Sequence, residues 1–274
     1  MLSYQHGYHA GNFADVVKHL CLTLLLDYLT QKDKPLFYLE THAGKGLYDL
    51  NDKQAQKTGE AKFGIELLWQ EKSNLPPVFD TYMDTIEAVN PTSQLSIYPG
   101  SPTFAMHLLR SFDRIVCCEL HPQEYSTLKT INRLGKKVSI EQKNGLEQIK
   151  ALLPPAEKRG VIFIDPSFEI KDDYRQIPLA IQEGVKRFAT GVYCLWYPLV
   201  DQQLNSKLTK GLEALSVRNT LNMEFVHTPH GKGMYGCGLW LINPPFILAE
   251  KMEIALKTLM KFFNPGKSSF SIKA

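Results

Sequence analysis

The sequence predicts an α/β protein, a mostly parallel sheet with helices on both faces. Three observations predict it. Short apolar runs such as "RIVCC" and "VIFI" alternate with amphipathic helical stretches, the pattern of parallel strands joined by crossover helices. The last two apolar runs have only a short Gly-rich stretch between them, so they form an antiparallel hairpin, because a parallel pair needs a long crossover. The chain has 274 residues, 44% of them hydrophobic and 22% charged, which suits one sizeable domain with an insertion and an ample core.

Asn12 is placed to cap a helix over about 13–30, and Asp15 in its first turn complements the helix dipole. Phe13, Val17, Leu20, Leu24 and Tyr28 recur at helical spacing and predict one apolar face. "KPLFYLE" (34–40) is a buried strand ending at "THAGKG" (41–46). Residues 47–98 differ in kind. "EAKFGIELLWQEK" and "VFDTYMDTIEAVN" are helical patterns between polar connectors, and 47–98 is expected to be an inserted helical subdomain in a main domain made of 1–46 and 99–274. Pro102 opens the helix "PTFAMHLLRS", where its missing N–H costs nothing.

Four strand–helix pairs follow: "DRIVCCEL" with "PQEYSTLKTINRL", "KVSIEQ" with "GLEQIKALL", "GVIFIDP" with "DYRQIPLAIQEGVKRF", and "GVYCLWY" with "QQLNSKLTKGLEALS". "NTLNMEFVH" and "CGLWLINP" form the hairpin around "TPHGKGMYG", and a helix closes the chain from "FILAEKMEIALKTLMKFF". Five parallel strands plus a terminal hairpin is the strand inventory of the Rossmann-like fold of S-adenosylmethionine (SAM)-dependent methyltransferases.

The composition excludes several classes. A net charge of +3 permits a local basic face but does not demand a polyanionic partner. The five cysteines are odd in number and form no CxxC pair, and four lie in apolar runs, which predicts reduced thiols in a cytoplasmic protein. The polar N-terminus is neither signal nor transit peptide, and no apolar stretch is long enough to span a membrane. His6/His9 and His227/His230 have ligand-like spacing but no accompanying cysteine or carboxylate cluster, so no metal is expected. The loop holding His227, His230 and Lys232 is expected to face solvent or a nucleic acid, and Lys186-Arg187 to end a helix. Nothing suggests an obligate dimer, and a monomer is expected.

In an open α/β sheet, ligands bind beyond the carboxyl ends of the strands, where strand order reverses. Those ends carry Thr41-His42-Ala43-Gly44-Lys45-Gly46, Cys118-Glu119-Leu120, Lys143-Asn144-Gly145, Asp165-Pro166-Ser167-Phe168 and Trp196-Tyr197-Pro198. Gly44 and Gly46 let a ligand approach the backbone closely, although a glycine turn is often only a turn. Glu119 is placed to accept from two ribose hydroxyls, or is simply a surface carboxylate. Asn144-Gly145 is a turn or a contact to an adenine edge. The conjunction in chain order carries more weight than any part. With no GxxxxGK[ST] and no full GxGxxG, a cofactor with adenosine but no pyrophosphate fits best.

Two stretches compete for the chemistry. "FIDPSF" puts Asp165 after a buried strand. There its carboxylate and the Pro166 carbonyl can accept the N–H bonds of an exocyclic amine, and Phe168 can stack on the base. The plain alternative is an Asp capping the next helix beside a core Phe. "INPPF" matches the amino-methylating signature letter for letter, but it ends the hairpin strand that runs against the sheet. Its expected role is a helix start, with Asn243 as cap, the prolines in the first turn and Phe246 packed on the helix.

"SYQHGYHAGNFADVVKH", "LETHAGKGLYDL", "YPGSP", "CCELHPQEY", "IDPSF", "KRFATGVYCLWYP" and "INPP" together resemble the RlmJ (YhiR) family, the 23S ribosomal RNA adenine-N6 methyltransferases. The resemblance runs in order through nearly the whole chain. It implies a Rossmann-like catalytic domain with a small helical insertion, SAM as methyl donor, 23S ribosomal RNA as partner and no metal. Carried over by motif, His19, His42, Gly44, Ser101, Glu119, Asn144, Gly145 and Asp165 would hold the cofactor. Asp165, Pro166 and Phe168 would act on the amine, and Tyr4, His6 and Lys18 would lie on the RNA side. Three departures stand out: Asp-Pro-Ser-Phe for Asp-Pro-Pro-Tyr, Asn144 for an Asp, and Lys45 for a small residue in the glycine loop. From the residues alone, a DNA adenine, a protein glutamine amide, or a non-catalytic RNA-binding role stays open beside the RNA adenine.

Overall fold

The computed structural model describes residues 5–131, 135–228 and 233–274. In chain order the elements are α1 (Phe13–Thr30), β1 (Phe37–Glu40), β2 (Leu47–Asp49), α2 (Lys53–Thr58), α3 (Ile65–Gln70), α4 (Asp80–Val89), β3 (Ile97–Pro99), α5 (Ser101–Leu108) and β4 (Arg114–Cys118). Then come α6 (Pro122–Leu128), β5 (Lys137–Glu141), α7 (Gly145–Leu152), β6 (Gly160–Ile164), α8 (Asp173–Arg187), β7 (Val192–Leu199), α9 (Gln202–Glu213), β8 (Thr220–Val226), β9 (Gly236–Ile242), α10 (Leu248–Phe262) and β10 (Ser269–Lys273).

The main sheet has the order β10-β8-β9-β7-β6-β1-β4-β5. Strands β7, β6, β1, β4 and β5 pair in parallel, while β9 runs antiparallel to both β7 and β8. Strand order therefore reverses at β1, between β6 and β4, and a ligand crevice belongs at the carboxyl ends of these strands. Every residue of β1 and β6 is buried, as expected of central parallel strands covered on both faces. β8 alternates buried and half-buried residues, as suits a strand nearer the edge. One apolar core joins α1, α4, α5 and α10 to one face of the sheet, and a second joins α7, α8 and α9 to the other.

Three strands went unread in the sequence. β10 adds an antiparallel edge beside β8, and β2 pairs with β3 to close a small ribbon at the base of segment 47–98. The helical patterns of that segment are also more broken than expected. "EAKFGIELLWQEK" is a single turn over Glu60–Phe63, then α3, interrupted at Gly64. A Cβ on Gly64 would stand 2.1 Å from the carbonyl oxygen of Gly11, so close backbone contact fixes both the glycine and the break.

Helix α1 is not amphipathic. Asn12 caps it, accepting from the amide of Asp15, but residues 14–26 are buried without interruption. The helix lies in the interior, packed on α5, α4 and α10, so the single apolar face expected from its spacing gives way to burial all round.

The second Pro-Pro stretch differs from expectation in two ways. Asn243 does not cap α10, which begins five residues later. It takes a left-handed conformation, φ 54°, and its Nδ2 donates to the carbonyls of Ala189 and Gly191 at 2.8 and 2.9 Å, tying the end of β9 to the start of β7. Phe246 is not packed on the helix: it is 84% exposed, edge-on to Tyr28. The stretch lies at the opposite end of the sheet from the carboxyl ends of the parallel strands, as its antiparallel direction requires.

Candidate active site

Loops from β1, β4, β5 and β6 converge on a cavity of about 240 Å3. His19, His42, Gly44, Ser101, Glu119, Asn144, Gly145 and Asp165, the eight residues expected at a cofactor, all line it. Local folding explains each position. Asn144 caps α7, its Oδ1 accepting from the Leu146 amide at 3.0 Å. Gly145 sits against β1's loop so tightly that a Cβ would lie 2.0 Å from the Thr41 carbonyl oxygen. The Glu119 carboxylate accepts from the Gly44 amide at 2.8 Å and the His121 amide at 2.6 Å, which joins the ends of β1 and β4. Burial raises the pKa of Glu119 against those two hydrogen bonds.

His19 and His42 are held neutral here. Burial lowers His42 to about 4, and burial with the Lys18 charge holds His19 well below the usual imidazole range. His19 Nδ1 is hydrogen-bonded to the Tyr98 hydroxyl at 2.8 Å, while its Nε2 is buried with no partner among the described residues. A buried ring nitrogen without a partner in a cavity wall is a vacant polar contact for a ligand.

Asp165 is held from the N-terminal helix. Lys18 Nζ donates to Asp165 Oδ2 at 2.7 Å and pairs with Asp15 Oδ1 at 2.8 Å. His6 Nε2 donates to Asp15 Oδ2 at 2.8 Å, and the Gly11 amide does so at 2.9 Å. Burial works against the charge on Lys18, but Asp15 and Asp165 outweigh it and raise its pKa. Burial likewise opposes ionisation of Asp15, yet His6 and Lys18 hold its pKa well below the ordinary carboxylate value. The result is a hydrogen-bonded chain, His6, Asp15, Lys18, Asp165, in which each carboxylate has a partner, with Asp15 and Lys18 buried and His6 and Asp165 partly buried. Lys18 is therefore not a surface cation waiting for a phosphate, because two carboxylates already engage it. Asp165 Oδ1 and the Pro166 carbonyl accept no hydrogen bond among the described residues.

A second cavity, also of about 240 Å3, lies on the far side of this chain, with Trp196, Pro198, Phe168 and Tyr174 among its walls. His6, Lys18, Asp165 and Ser167 line both cavities. Phe168 has φ 52°, unusual for a bulky residue, and its ring leans on Tyr174 with centroids 4.7 Å apart. Lys18 Nζ lies 5.4 Å from the Trp196 ring centroid.

Sequence reasoning missed Asp15, Glu40 and Tyr174 as neighbours of the site, and put Trp196 at a strand end without giving it a role. Glu40 ends β1, and its fully buried carboxyl accepts from the hydroxyls of Ser101 and Tyr38. Burial raises it to about 8, with the Ser101 hydrogen bond opposing and the charge of Asp165 adding. The available signal was its place immediately before "THAGKG", an acid inside an otherwise apolar strand. Tyr4, His230 and Lys232 lie outside the described residues. His227 is not a solvated loop residue: its half-buried ring stacks on Phe13 at 4.5 Å. Lys45 lies 5.0 Å from the Tyr48 ring centroid.

A reversed parallel sheet with an antiparallel final strand, and a cavity at the carboxyl ends of β1, β4 and β5, defines a Rossmann-like α/β methyltransferase. Residues 33–273 match the family model described as "Ribosomal RNA large subunit methyltransferase D, RlmJ". The chain belongs to this family. It is 44% identical over 277 residues to the ribosomal RNA large subunit methyltransferase J of Haemophilus influenzae, covering 100% of this chain and 98% of the relative. To the protein of the same description from Escherichia coli it is 42% identical, covering 97% and 95%. A crystal structure of a Legionella pneumophila protein, 48% identical, superposes with a TM-score of 0.94 over 97% of this chain and 98% of that one.

Proposed function

We propose that the protein methylates N6 of one adenine in large-subunit 23S ribosomal RNA, with Asp165 at the reacting amine. The carrying observation is the pair of cavities that meet at a wall containing Asp165 and Lys18. The names of the full-length relatives support ribosomal RNA as the acceptor. Such a substrate is met in the cytoplasm, and one chain supplies both cavities.

SAM, when bound, supplies an electrophilic methyl group on a sulfonium. The first cavity fits it: Glu119 can accept from ribose hydroxyls, Asn144 and Gly145 can meet the adenine edge, and His19 Nε2 has a vacant polar contact. His42, Gly44 and Ser101 complete its walls.

The second cavity receives the target base, taken out of its stack. Asp165 Oδ1 and the Pro166 carbonyl accept the two N–H bonds of the exocyclic amine, which withdraws the nitrogen lone pair from the ring and turns it toward the first cavity. Lys18 holds Oδ2, fixing the carboxylate plane and leaving Oδ1 to accept. Lys18 thus positions Asp165 instead of contacting phosphate, and His6 reaches the same wall through Asp15. Phe168 offers its ring to the base, with Trp196 as a further aromatic wall.

The test offers the enzyme and labelled SAM three acceptors together: unmodified 23S ribosomal RNA, adenine-containing DNA and a glutamine-bearing protein. Label appears in RNA as N6-methyladenosine. Label in DNA or protein instead moves the reading to those acceptors, and no transfer to any acceptor together with no SAM binding by calorimetry reduces the protein to a non-catalytic RNA-binding module.

A further inference from the structure

Segment 47–98 holds residues 5–12 along nearly their whole length. Gln54 Nε2 donates to Gln5 Oε1 at 2.5 Å, and the Thr58 hydroxyl donates to the Tyr8 carbonyl. His9 Nδ1 donates to both oxygens of Glu60, at 2.9 and 3.1 Å, and Asn12 Nδ2 donates to the same carboxylate at 2.9 Å. The Ile65 amide donates to the Gly11 carbonyl at 2.8 Å, beside the backbone contact that requires Gly64.

The stretch held in this way carries His6. Its ring meets Tyr48 edge-on, with centroids 5.0 Å apart, and its Nε2 donates to Asp15, which in turn pairs with Lys18. His6–Tyr8, ahead of α1, form only a single 3-10 turn, with local hydrogen bonds from the Tyr8 amide to Gln5 and from the His9 amide to His6, so the position of that turn depends on what it packs against. On the side away from α1, that support comes from segment 47–98. Glu60 lines neither cavity, yet its one carboxylate joins His9 and Asn12, which both line the second.

We propose that segment 47–98 is a clamp that fixes residues 5–12, setting His6 in the wall shared by the two cavities, with Glu60 as its positioning residue. This rests on the reading that Asp165 acts on the acceptor amine.

The test is a double-mutant cycle in the full chain: wild type, Glu60→Ala, His6→Ala and the double variant, each measured for kcat, for KM with ribosomal RNA and for SAM Kd by calorimetry. Glu60→Ala lowers kcat about tenfold or more, with SAM Kd unchanged within about twofold. In the His6→Ala background the same change costs less than about twofold, because its route is already cut. Glu60→Gln, which keeps an acceptor oxygen for Asn12, falls between wild type and Glu60→Ala, and it replaces Glu60→Ala in the cycle if that variant does not fold. A wild-type kcat for the Glu60 variant, or the full loss repeated without His6, overturns the clamp. Asp165→Ala run alongside separates the two readings. If it keeps wild-type rates the underlying reading fails. If it is inactive while the Glu60 variants behave as wild type, only the clamp fails.

Discussion

Lys18 illustrates how a side chain's surroundings decide its role. The family resemblance puts Lys18 on the RNA side, and its ammonium lies between Asp15 and Asp165, deep in the protein. Removing it would take the ammonium away from the buried Asp15 and the partly buried Asp165 together, a costly arrangement. Glu40 is the opposite case, an acid kept neutral by burial. Its pKa rises from 4.5 to about 8 in the folded chain. Between those values the unfolded chain has lost the proton and the folded chain keeps it, so stability falls as pH rises through the window from about 4.5 to about 8. Glu40→Gln cannot ionise, so its unfolding free energy should decline less over that window than the wild type's. Urea titrations at several pH values check this, and equal slopes for the two proteins would show that Glu40 is ionised in the fold.

Elements carry the choice between the two Pro-containing stretches. β6 is a parallel strand and delivers Asp165 to the crevice, whereas β9 is antiparallel and delivers Asn243 to the other end of the sheet. Asn243 then acts as a tie, with two hydrogen bonds to the start of β7. Asn243→Ala should cost about 1–3 kcal/mol through those bonds and its left-handed backbone, with kcat unchanged. Denaturant midpoints and turnover on RNA check the two halves, and a large loss of kcat in fully folded protein would return chemistry to this stretch. Helix α1 shows where pattern reading stops: its spacing resembles an amphipathic surface helix because the sequence does not say what covers the other side. β10 escaped for a related reason, since "SFSIK" is a short, half-polar edge strand after a Gly-containing turn.

For the whole molecule, β1, β4, β6 and β7 were legible because each is largely an apolar run that stops at a polar loop, and β5, "KVSIE", by its alternation. That also made residues of the first cavity's wall legible, since the sheet gathers its strand ends in one crevice. What was not legible is pairing across sequence. Lys18 and Asp165 are 147 residues apart, and Glu40 and Ser101 are 61 apart, so no local spacing announces either contact. Phe168 was legible as an aromatic after Asp-Pro but not as one leaning on Tyr174 from a left-handed backbone. Under the proposed function, the two cavities that share Asp165 in their walls would put a single carboxylate between a methyl donor and a methyl acceptor. The decisive measurement is single-turnover transfer of labelled methyl from SAM to unmodified 23S ribosomal RNA by wild type and Asp165→Ala, with SAM Kd recorded for both. Wild type should form N6-methyladenosine, and Asp165→Ala, still binding SAM, should be slower by roughly 10²-fold or more. Transfer by Asp165→Ala at the wild-type rate would contradict this assignment of the chemistry.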